Sequence, residues 1–389
     1  MEKTSGKLLE KYPWISFKVN LEGLSFVTWM LLGQCISKCE HIKKIPLMPS
    51  ISEELHKVYL VKGVAATTAI EGNTLTEEQV RDILEGKAKI ENSKKYLQQE
   101  VENIIQACNQ IGRNIKAPKY NSISEDLLCE LNRTVLRDMP VEKEIKPGVY
   151  RSHRAGVGGY RAPEASDVPA LMEAFCNWLK NLNIETEHLD KVIAGTITAI
   201  ATHLYIALIH PFGDGNGRTA RLMEFMILLS SGVPSPAAHL LSNHYNLTRT
   251  EYYRQLDKVS KTSGDVRDFF TYAIQGFRDG LQDVINVIIE QVQIVSWEHY
   301  VFERFRELPD NDASKRQRSL LIQLSRQAKP LARNEIEKLT AKIYLDRGKT
   351  KNSFTRDWNS LRRTNLIIEK DGKYSPNFFL ILNRLPFSL

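Results

Sequence analysis

The chain has 389 residues and a formal net charge of +7; 42% of its residues are hydrophobic and 25% are charged. These values are ordinary for a soluble globular protein and leave room for two or three domains with sizeable cores. The five cysteines are scattered, and only Cys35 and Cys39 lie close together, without further zinc ligands. The cysteine pattern argues against a disulfide or zinc framework and indicates reduced thiols.

The sequence shows no basic-then-apolar signal pattern. Its most apolar early run, residues 24–32, is too short to cross a bilayer and includes hydroxyl side chains. We therefore expect a cytoplasmic protein that makes no membrane contact.

Residues 1–51 predict an N-terminal helical lead-in. Its first twenty residues are expected to be loosely ordered, and a helix is predicted over residues 24–41. A proline-containing break follows this helix.

A second helix is expected over residues 53–71, because Ser52 precedes two glutamates and Gly72 follows. Capping residues and apolar periodicity predict further helices. Their ranges are 76–84, 95–111, 124–136 and 168–181.

The centre of the chain is a run of twelve residues from His210 to Arg221, between two apolar stretches of helical periodicity. We therefore predict a helix, a tight loop and a second helix. Three glycines within five positions let the loop turn sharply and approach a ligand closely. The helix that starts near Asn216 leaves its first N–H groups unpaired, which makes an anion site.

The side chains of this run add chemistry to the anion site. Arg218 and Arg221 are three apart and share one helix face. Asp214 offers an oxygen ligand suited to Mg²⁺. His210, where the first helix ends, is placed to accept a proton. The combination predicts phosphoryl or nucleotidyl transfer.

Other interpretations of the glycine-rich run are weaker. A dinucleotide fingerprint requires a strand before the glycines, and a phosphate-binding P-loop requires a Gly-Lys-[Ser/Thr] sequence after them. A simple glycine-rich turn between core helices would leave the combination of His, Asp, Asn and two Arg without a role.

The run resembles the signature of the Fic family, H-P-F-x-[DE]-G-N-G-R-x-x-R, at every specified position. Most Fic proteins are adenylyltransferases that move AMP from ATP to a protein hydroxyl. The resemblance implies that His210 takes the proton from a Ser, Thr or Tyr hydroxyl and that Asp214 holds Mg²⁺. It also implies a set of ATP-binding residues, namely Phe212, Gly213, Asp214, Gly215, Asn216, Gly217, Arg218, Arg221 and Tyr253.

Within this set, the backbone N–H groups of residues 215–217 would receive the developing negative charge. Asn216 would fix the α-phosphate, Arg218 the β-phosphate and Arg221 the γ-phosphate. Phe212 is expected to point into the core and hold the loop.

The helix ending at Gly72 is similar to the Fic inhibitory motif, [ST]-x-x-x-E-[GN], with Thr67 and Glu71 on specified positions. In the family this glutamate pairs with the second arginine of the signature, here Arg221. A carboxylate on that guanidinium would take the place of the γ-phosphate. The plain alternative is an ordinary helix end.

Residues 150–163 resemble the Fic flap, a β-hairpin whose exposed edge can take up a target chain by backbone pairing. The target-docking positions are Ala155 and Val157. The family usually has valine four positions after the flap arginine, where this chain has Ala155, so Val157 is the alternative clamp. The other interpretation is a glycine-rich loop.

Tyr253 belongs to a Tyr-Tyr pair that resembles the segment lining the adenine and ribose side in Fic proteins. The alternative is that both tyrosines pack within a helix. A long helix is then predicted over residues 266–307, with a break near Gly280.

Residues 314–389 predict a separate module of three helices and a hairpin with a turn at residues 370–372, which matches a winged helix-turn-helix. Its third helix region is basic and could enter a major groove. The basic residues are Lys349, Lys351, Arg356, Arg362 and Arg363. The alternative is that the module mediates protein contacts or dimerisation.

We therefore predict a mainly α protein with a Fic-type core over residues 52–307, which uses ATP and Mg²⁺ to adenylylate a target protein and itself, and is inhibited by Glu71. One alternative is a DNA-binding regulator with a vestigial core. Another is a transferase with a different nucleotide or phosphate donor, or an enzyme that removes AMP. The sequence leaves homodimer formation open.

Overall fold

The computed structural model describes residues 8–19, 23–117, 123–157, 159–182, 190–327, 329–345 and 351–382. The chain divides into two compact units, Met1–Ile285 and Asn286–Leu389. The prediction of a mainly α fold is confirmed. The proposed division into residues 1–51, 52–307 and 314–389 stays a prediction.

Among the described residues, the first unit contains ten α-helices of eight residues or more and the beginning of an eleventh. They are α1 (Phe26–Lys44), α2 (Pro49–Ile70), α3 (Glu77–Leu84), α4 (Lys95–Asn114), α5 (Glu125–Val135), α6 (Val168–Lys180), α7 (Lys191–Ile209), α8 (Asn216–Ser230), α9 (Leu240–Leu247), α10 (Arg249–Lys261) and α11 (Arg267–Arg306).

A short antiparallel hairpin accompanies these helices. It consists of β1 (Gly156–Val157) and β2 (Tyr160–Arg161), with Gly156 opposite Arg161. The hairpin lies within residues 150–163, the segment predicted as a flap.

Two features of the helices differ most from the sequence-based expectations. Helix α2 begins at Pro49, not at position 53, because proline at the first helical position lacks only an N–H that has no partner there anyway. Helix α11 is continuous through Gly280, where a break was predicted. A Cβ at Gly280 would lie 3.1 Å from a Leu240 methyl carbon, so this glycine serves close packing.

The predicted loose lead-in is wrong for residues 8–19, which pack against the first unit. Ile15 is fully buried. The Tyr12 hydroxyl donates to Asp167 over 2.7 Å, and the Trp14 indole N–H donates to the Tyr160 hydroxyl over 3.0 Å. This stretch lacks helical periodicity, and its order comes from partners about 150 positions away.

Helices α7 and α8 form the centre of the unit. Among the described residues, α7 alone is long and apolar enough to cross a bilayer, yet 83% of its apolar window is buried in the fold. A core helix passes the same test of length and composition. Gly195 of α7 faces Ser231 at the end of α8, where an added Cβ would lie 2.1 Å from the Ser231 Cβ.

The second unit contains helices α12 (Asp312–Ser325), α13 (Arg333–Leu339), α14 (Ala341–Leu345) and α15 (Lys351–Arg363), followed by strands β3 (Ile367–Lys370) and β4 (Lys373–Pro376). The described residues after α11 thus form four α-helices, where three were predicted. Leu331 adds a backbone bridge to Tyr374 of the hairpin. Lys349, a predicted basic residue, lies outside the described residues.

The Gly195 contact predicts that Gly195→Ala lowers the free energy of unfolding by about 1–3 kcal/mol, because the methyl group overpacks the α7–α8 interface. Chemical denaturation measures this change. Ser231→Gly on the same background should recover most of the loss. Equal stabilities of Gly195→Ala and the wild type would contradict the close packing.

Candidate active site

The loop between α7 and α8 has a fixed shape. His210 ends α7 in the left-handed region, with φ 52° and ψ 59°, and Gly215 at φ 76° precedes α8. The Asn216 amide closes the turn, because its Oδ1 accepts from the Phe212 N–H and its Nδ2 donates to the Phe212 carbonyl, each over 2.8 Å. Phe212 is buried, as predicted. The first N–H groups of α8 have no acceptor within the helix.

Asn132, which the sequence analysis missed, holds this loop from α5. Its Nδ2 donates to the Asp214 carbonyl over 2.9 Å and to the Thr219 hydroxyl over 3.3 Å, and its Oδ1 accepts from the Gly148 N–H over 2.9 Å. The residue is fully buried. An asparagine on the apolar face of α5 was the available signal, since a buried amide must find partners.

Arg151, the flap arginine, holds the other side of the loop, a role that the sequence did not predict. Its Nε donates to the His210 carbonyl over 2.7 Å, and its two terminal nitrogens donate to the carbonyls of His153 and Pro163 over 2.8 and 2.6 Å. Burial lowers the pKa of the guanidinium from its very high usual value. Arg151 therefore joins both ends of the flap segment to the residue that ends α7.

The flap is anchored through Tyr160, whose hydroxyl donates to the Leu208 carbonyl. The Ala155 carbonyl accepts from the Ala162 N–H over 3.1 Å, so this predicted docking position is engaged in the hairpin by its backbone. The side chain of Val157 lies outside the described part of the structure.

Arg218 is held between two carboxylates. Its Nη1 lies 2.7 Å from Glu100 and its Nη2 lies 2.8 Å from Asp214. Glu100 also accepts from the Asn73 amide over 2.7 Å. Burial raises the pKa of the Glu100 carboxyl, against the opposing effect of the Arg218 charge. The sequence analysis missed Glu100 because its position in α4 is remote from the signature.

Arg221 forms the predicted contact with Glu71. Its Nη2 lies 2.6 Å from the Glu71 carboxylate, and it also donates to the hydroxyl and the carbonyl of Thr67 over 2.8 and 3.0 Å. Burial opposes ionisation of Glu71, but the charge and hydrogen bond of Arg221 bring its pKa below the ordinary value. A Cβ at Gly217 would lie 2.2 Å from the Glu71 oxygen, so the carboxylate occupies space that glycine leaves open.

A cavity of about 600 Å³ gathers part of the predicted set. Its lining includes Glu71, Tyr160, His210, Gly217, Arg221 and Tyr253. Of the predicted site residues whose side chains are described, the others do not line it; these are Thr67, Ala155, Phe212, Gly213, Asp214, Gly215, Asn216 and Arg218. Burial lowers the pKa of His210, so the imidazole is neutral near pH 7.

The tyrosine pair divides between two environments. Tyr252 is buried, and its hydroxyl lies 2.9 Å from His203 Nε2. Tyr253 is half-buried, and the Arg249 guanidinium lies 6.0 Å from its ring centre. Both residues line the cavity, but because only Tyr252 is fully buried, the alternative of simple packing describes Tyr252 better than Tyr253.

The fold and the site define a class of helical domain. In it, a neutral histidine and a helix N-terminus face a cavity, and a carboxylate covers a buried arginine at its wall. Residues 122–228 match the Fic/DOC family. This part of the chain is therefore similar to a Fic domain.

The relatives carry consistent names. The chain is 30% identical to a protein adenylyltransferase Fic of Nematostella vectensis over 244 residues, which is 63% of this chain and 51% of the relative. It is 29% identical to protein adenylyltransferase fic-1 of Caenorhabditis elegans over 249 residues, or 64% of this chain and 45% of the relative. The chain thus spans about half the length of these curated relatives.

Two solved structures have a similar fold. A Fic family protein from Desulfovibrio desulfuricans G20 aligns with a TM-score of 0.55 at 21% identity, covering 91% of this chain and 97% of the other. Residues 134–508 of Fic-1 from C. elegans align with a TM-score of 0.54 at 26% identity, covering 67% and 73%.

The contacts of Asn132 predict that Asn132→Ala lowers the free energy of unfolding by about 1–3 kcal/mol, because buried donors and acceptors lose their partner. Urea denaturation measures this loss. Asn92→Ala, at an exposed asparagine, is the matched control and should change stability little. Equal effects of the two substitutions would show that Asn132 does not hold the loop.

Proposed function

We propose that this protein transfers AMP from ATP to a Ser, Thr or Tyr hydroxyl of a target protein, with residues 52–307 as the catalytic domain. One observation carries the proposal: His210, Gly217 at the start of α8, and Arg221 line the same cavity. The names of the relatives support the same activity.

In the proposed reaction, the imidazole of His210 takes the hydroxyl proton of the target. The target oxygen forms a bond to the α-phosphorus of ATP as the bond from that phosphorus to the bridging β-phosphate oxygen breaks, and pyrophosphate leaves. A neutral His210 can accept a proton at pH 7 because its pKa is lowered by burial. The free N–H groups at the start of α8 face the developing negative charge.

Asp214 is the residue that would hold Mg²⁺. Among the described residues, its partners Arg218 and the Gly215 N–H both meet Oδ1, which leaves Oδ2 open, and its side chain is 44% exposed. No group of three or more His, Cys, Asp or Glu side chains gathers for a metal in the described part of the chain. One carboxylate fits Mg²⁺, which binds mainly through substrate phosphates and water and would neutralise phosphate charge.

The two signature arginines receive different roles. Arg218 is a positioning residue in this arrangement, because Glu100 and Asp214 already hold its guanidinium away from the cavity lining. Arg221 would bind the γ-phosphate. Asn216 closes the loop through Phe212, and a direct bond to the α-phosphate would be additional to that role.

Glu71 would inhibit the enzyme by occupying Arg221. A phosphate and a carboxylate compete for the same donors of a guanidinium. Thr67 keeps its two bonds to Arg221 when Glu71 leaves, so the guanidinium would stay in place for the nucleotide. The flap positions Ala155 and Val157 would dock the target backbone beside this site.

The Glu71 contact predicts that Glu71→Gly raises self-labelling by ATP and Mg²⁺ by at least about tenfold, since one lost charge-assisted bond changes an equilibrium by that order. His210→Ala on that background should abolish the labelling. Intact-mass spectra measure both effects as AMP additions.

The matched control for this experiment is Glu85→Gly, because Glu85 also ends a helix but has no contact with Arg221 among the described residues. It should leave labelling at the wild-type level. Labelling that survives His210→Ala would refute the assigned base, and equal labelling of both glycine variants would refute inhibition by Glu71. Parallel reactions with other nucleoside triphosphates identify the donor.

The lowered pKa of His210 predicts the pH dependence of the Glu71→Gly variant. The base works in its neutral form, so labelling should persist below pH 6.5, the ordinary value, and fall only as pH drops through the lower folded pKa. Removing Glu71 deletes a charge that raises this pKa, which moves the fall still lower. Initial labelling rates against pH measure the midpoint, and a midpoint above 6.5 would contradict a buried neutral base.

A further inference from the structure

The net charge of the chain is concentrated in the second unit. Residues 286–389 contain 19 Lys and Arg and 12 Asp and Glu, a net charge of +7, so residues 1–285 are neutral overall. A charge asymmetry of this kind points to a polyanionic partner of the smaller unit.

Helix α15 is fixed within this unit by its inner face. Phe354, Trp358 and Leu361 are buried in the core. Asp357 makes a buried ion pair with Arg316 of α12 over 2.8 Å, with both side chains at most 6% exposed. Because this pair and the aromatic side chains set its rotation, α15 presents one defined face outward.

The outward face of α15 has a specific chemistry. Asn352, Arg356, Asn359 and Arg363 are exposed, and their spacing of four, three and four places them on one helical stripe. Among the described residues, no hydrogen bond or ion pair engages the side chain of Asn359 or of Arg363. Asparagine pairs with the edge of adenine and arginine with the edge of guanine in the major groove.

The hairpin carries a second feature that folding alone does not explain. Lys370 and Lys373 lie opposite each other beside its turn, and both are exposed. Like charges directly across a strand pair destabilise it. Glu369 does not relieve them, because it pairs with Arg362 over 3.0 Å; Asp371 lies in the turn itself. A phosphate backbone between the lysines would remove the repulsion.

Arg333 extends the basic surface from the start of α13. It is exposed and its Nη2 donates to the Thr355 hydroxyl of α15 over 3.2 Å. The cations of α13, α15 and the hairpin therefore belong to one unit. Their positive charge complements the phosphates of a duplex, and the Asn and Arg side chains complement the edges of its bases.

We propose that the second unit binds duplex DNA, with α15 in the major groove and the β3–β4 hairpin on the phosphate backbone. Asn352, Arg356, Asn359 and Arg363 read base edges, and Lys370 and Lys373 contact phosphates. An acidic protein or an anionic membrane would use the charge but would leave the asparagine positions without a function, so the stripe favours DNA.

Fluorescence anisotropy of labelled short duplexes of random sequence, titrated with the full chain, measures general binding. The same titration with a sequence selected from these duplexes measures specific binding. Affinity should fall steeply between about 50 and about 200 mM salt. Arg356→Gln with Arg363→Gln should weaken binding to the selected sequence by about tenfold or more. Asn359→Ala should weaken only the selected sequence, whereas Lys370→Gln with Lys373→Gln should weaken all duplexes and reduce the salt slope by about two.

The matched control is Arg304→Gln with Arg306→Gln, the same charge change at exposed arginines that end α11. It should change affinity by less than about threefold. Thermal unfolding of each variant verifies that the unit remains folded. Equal losses in the two arginine pairs, no salt-dependent binding, or displacement by polyglutamate or anionic vesicles as effective as by DNA would each overturn the proposal.

Discussion

The candidate site depends on the partner of one buried guanidinium. Arg221 is 2% exposed and bonds to Glu71, 150 positions earlier in the chain. An unpaired charge at such a depth is costly, so the position always requires an anion or a set of strong acceptors. Thr67 supplies two acceptors at the same time. In the proposed reaction the remaining donors would hold either the internal carboxylate or a nucleotide phosphate, which would couple nucleotide binding to the end of α2.

Around this pair, polar side chains that do not line the cavity hold the loop between α7 and α8. Asn132 ties the loop to α5, Arg151 ties it to the flap, and the Glu100 carboxylate holds Arg218 from α4. Each is buried and bonded to groups far away in sequence. A loop fixed from three sides presents its imidazole and its N–H groups in one arrangement, and preorganised dipoles stabilise a transition state more than mobile ones.

The two units use charge differently. The first is neutral overall and contains buried ion pairs such as Arg218 with Glu100, which salt screens weakly. The second carries the full net charge of +7 on exposed side chains such as Arg363 and Lys373, whose attraction to a polyanion falls with salt. Ionic strength should therefore weaken the electrostatic attraction at the surface of the second unit far more than the buried ion pairs of the first.

The sequence determined the elements and the chemistry, because both are local: periodicity gave α7 and α8, and the run from His210 to Arg221 contained the reactive side chains. The predicted extents of helices failed at Pro49, where a proline starts the helix early, and at Gly280, where close packing requires a glycine without breaking the helix. The tertiary structure alone decided how Asn132 and Arg151 are used and that residues 8–19 are ordered. Those outcomes rest on hydrogen bonds and burial between segments distant along the chain, which no local pattern encodes; the pairing of Glu71 with Arg221 was expected only through a family resemblance, for the same physical reason.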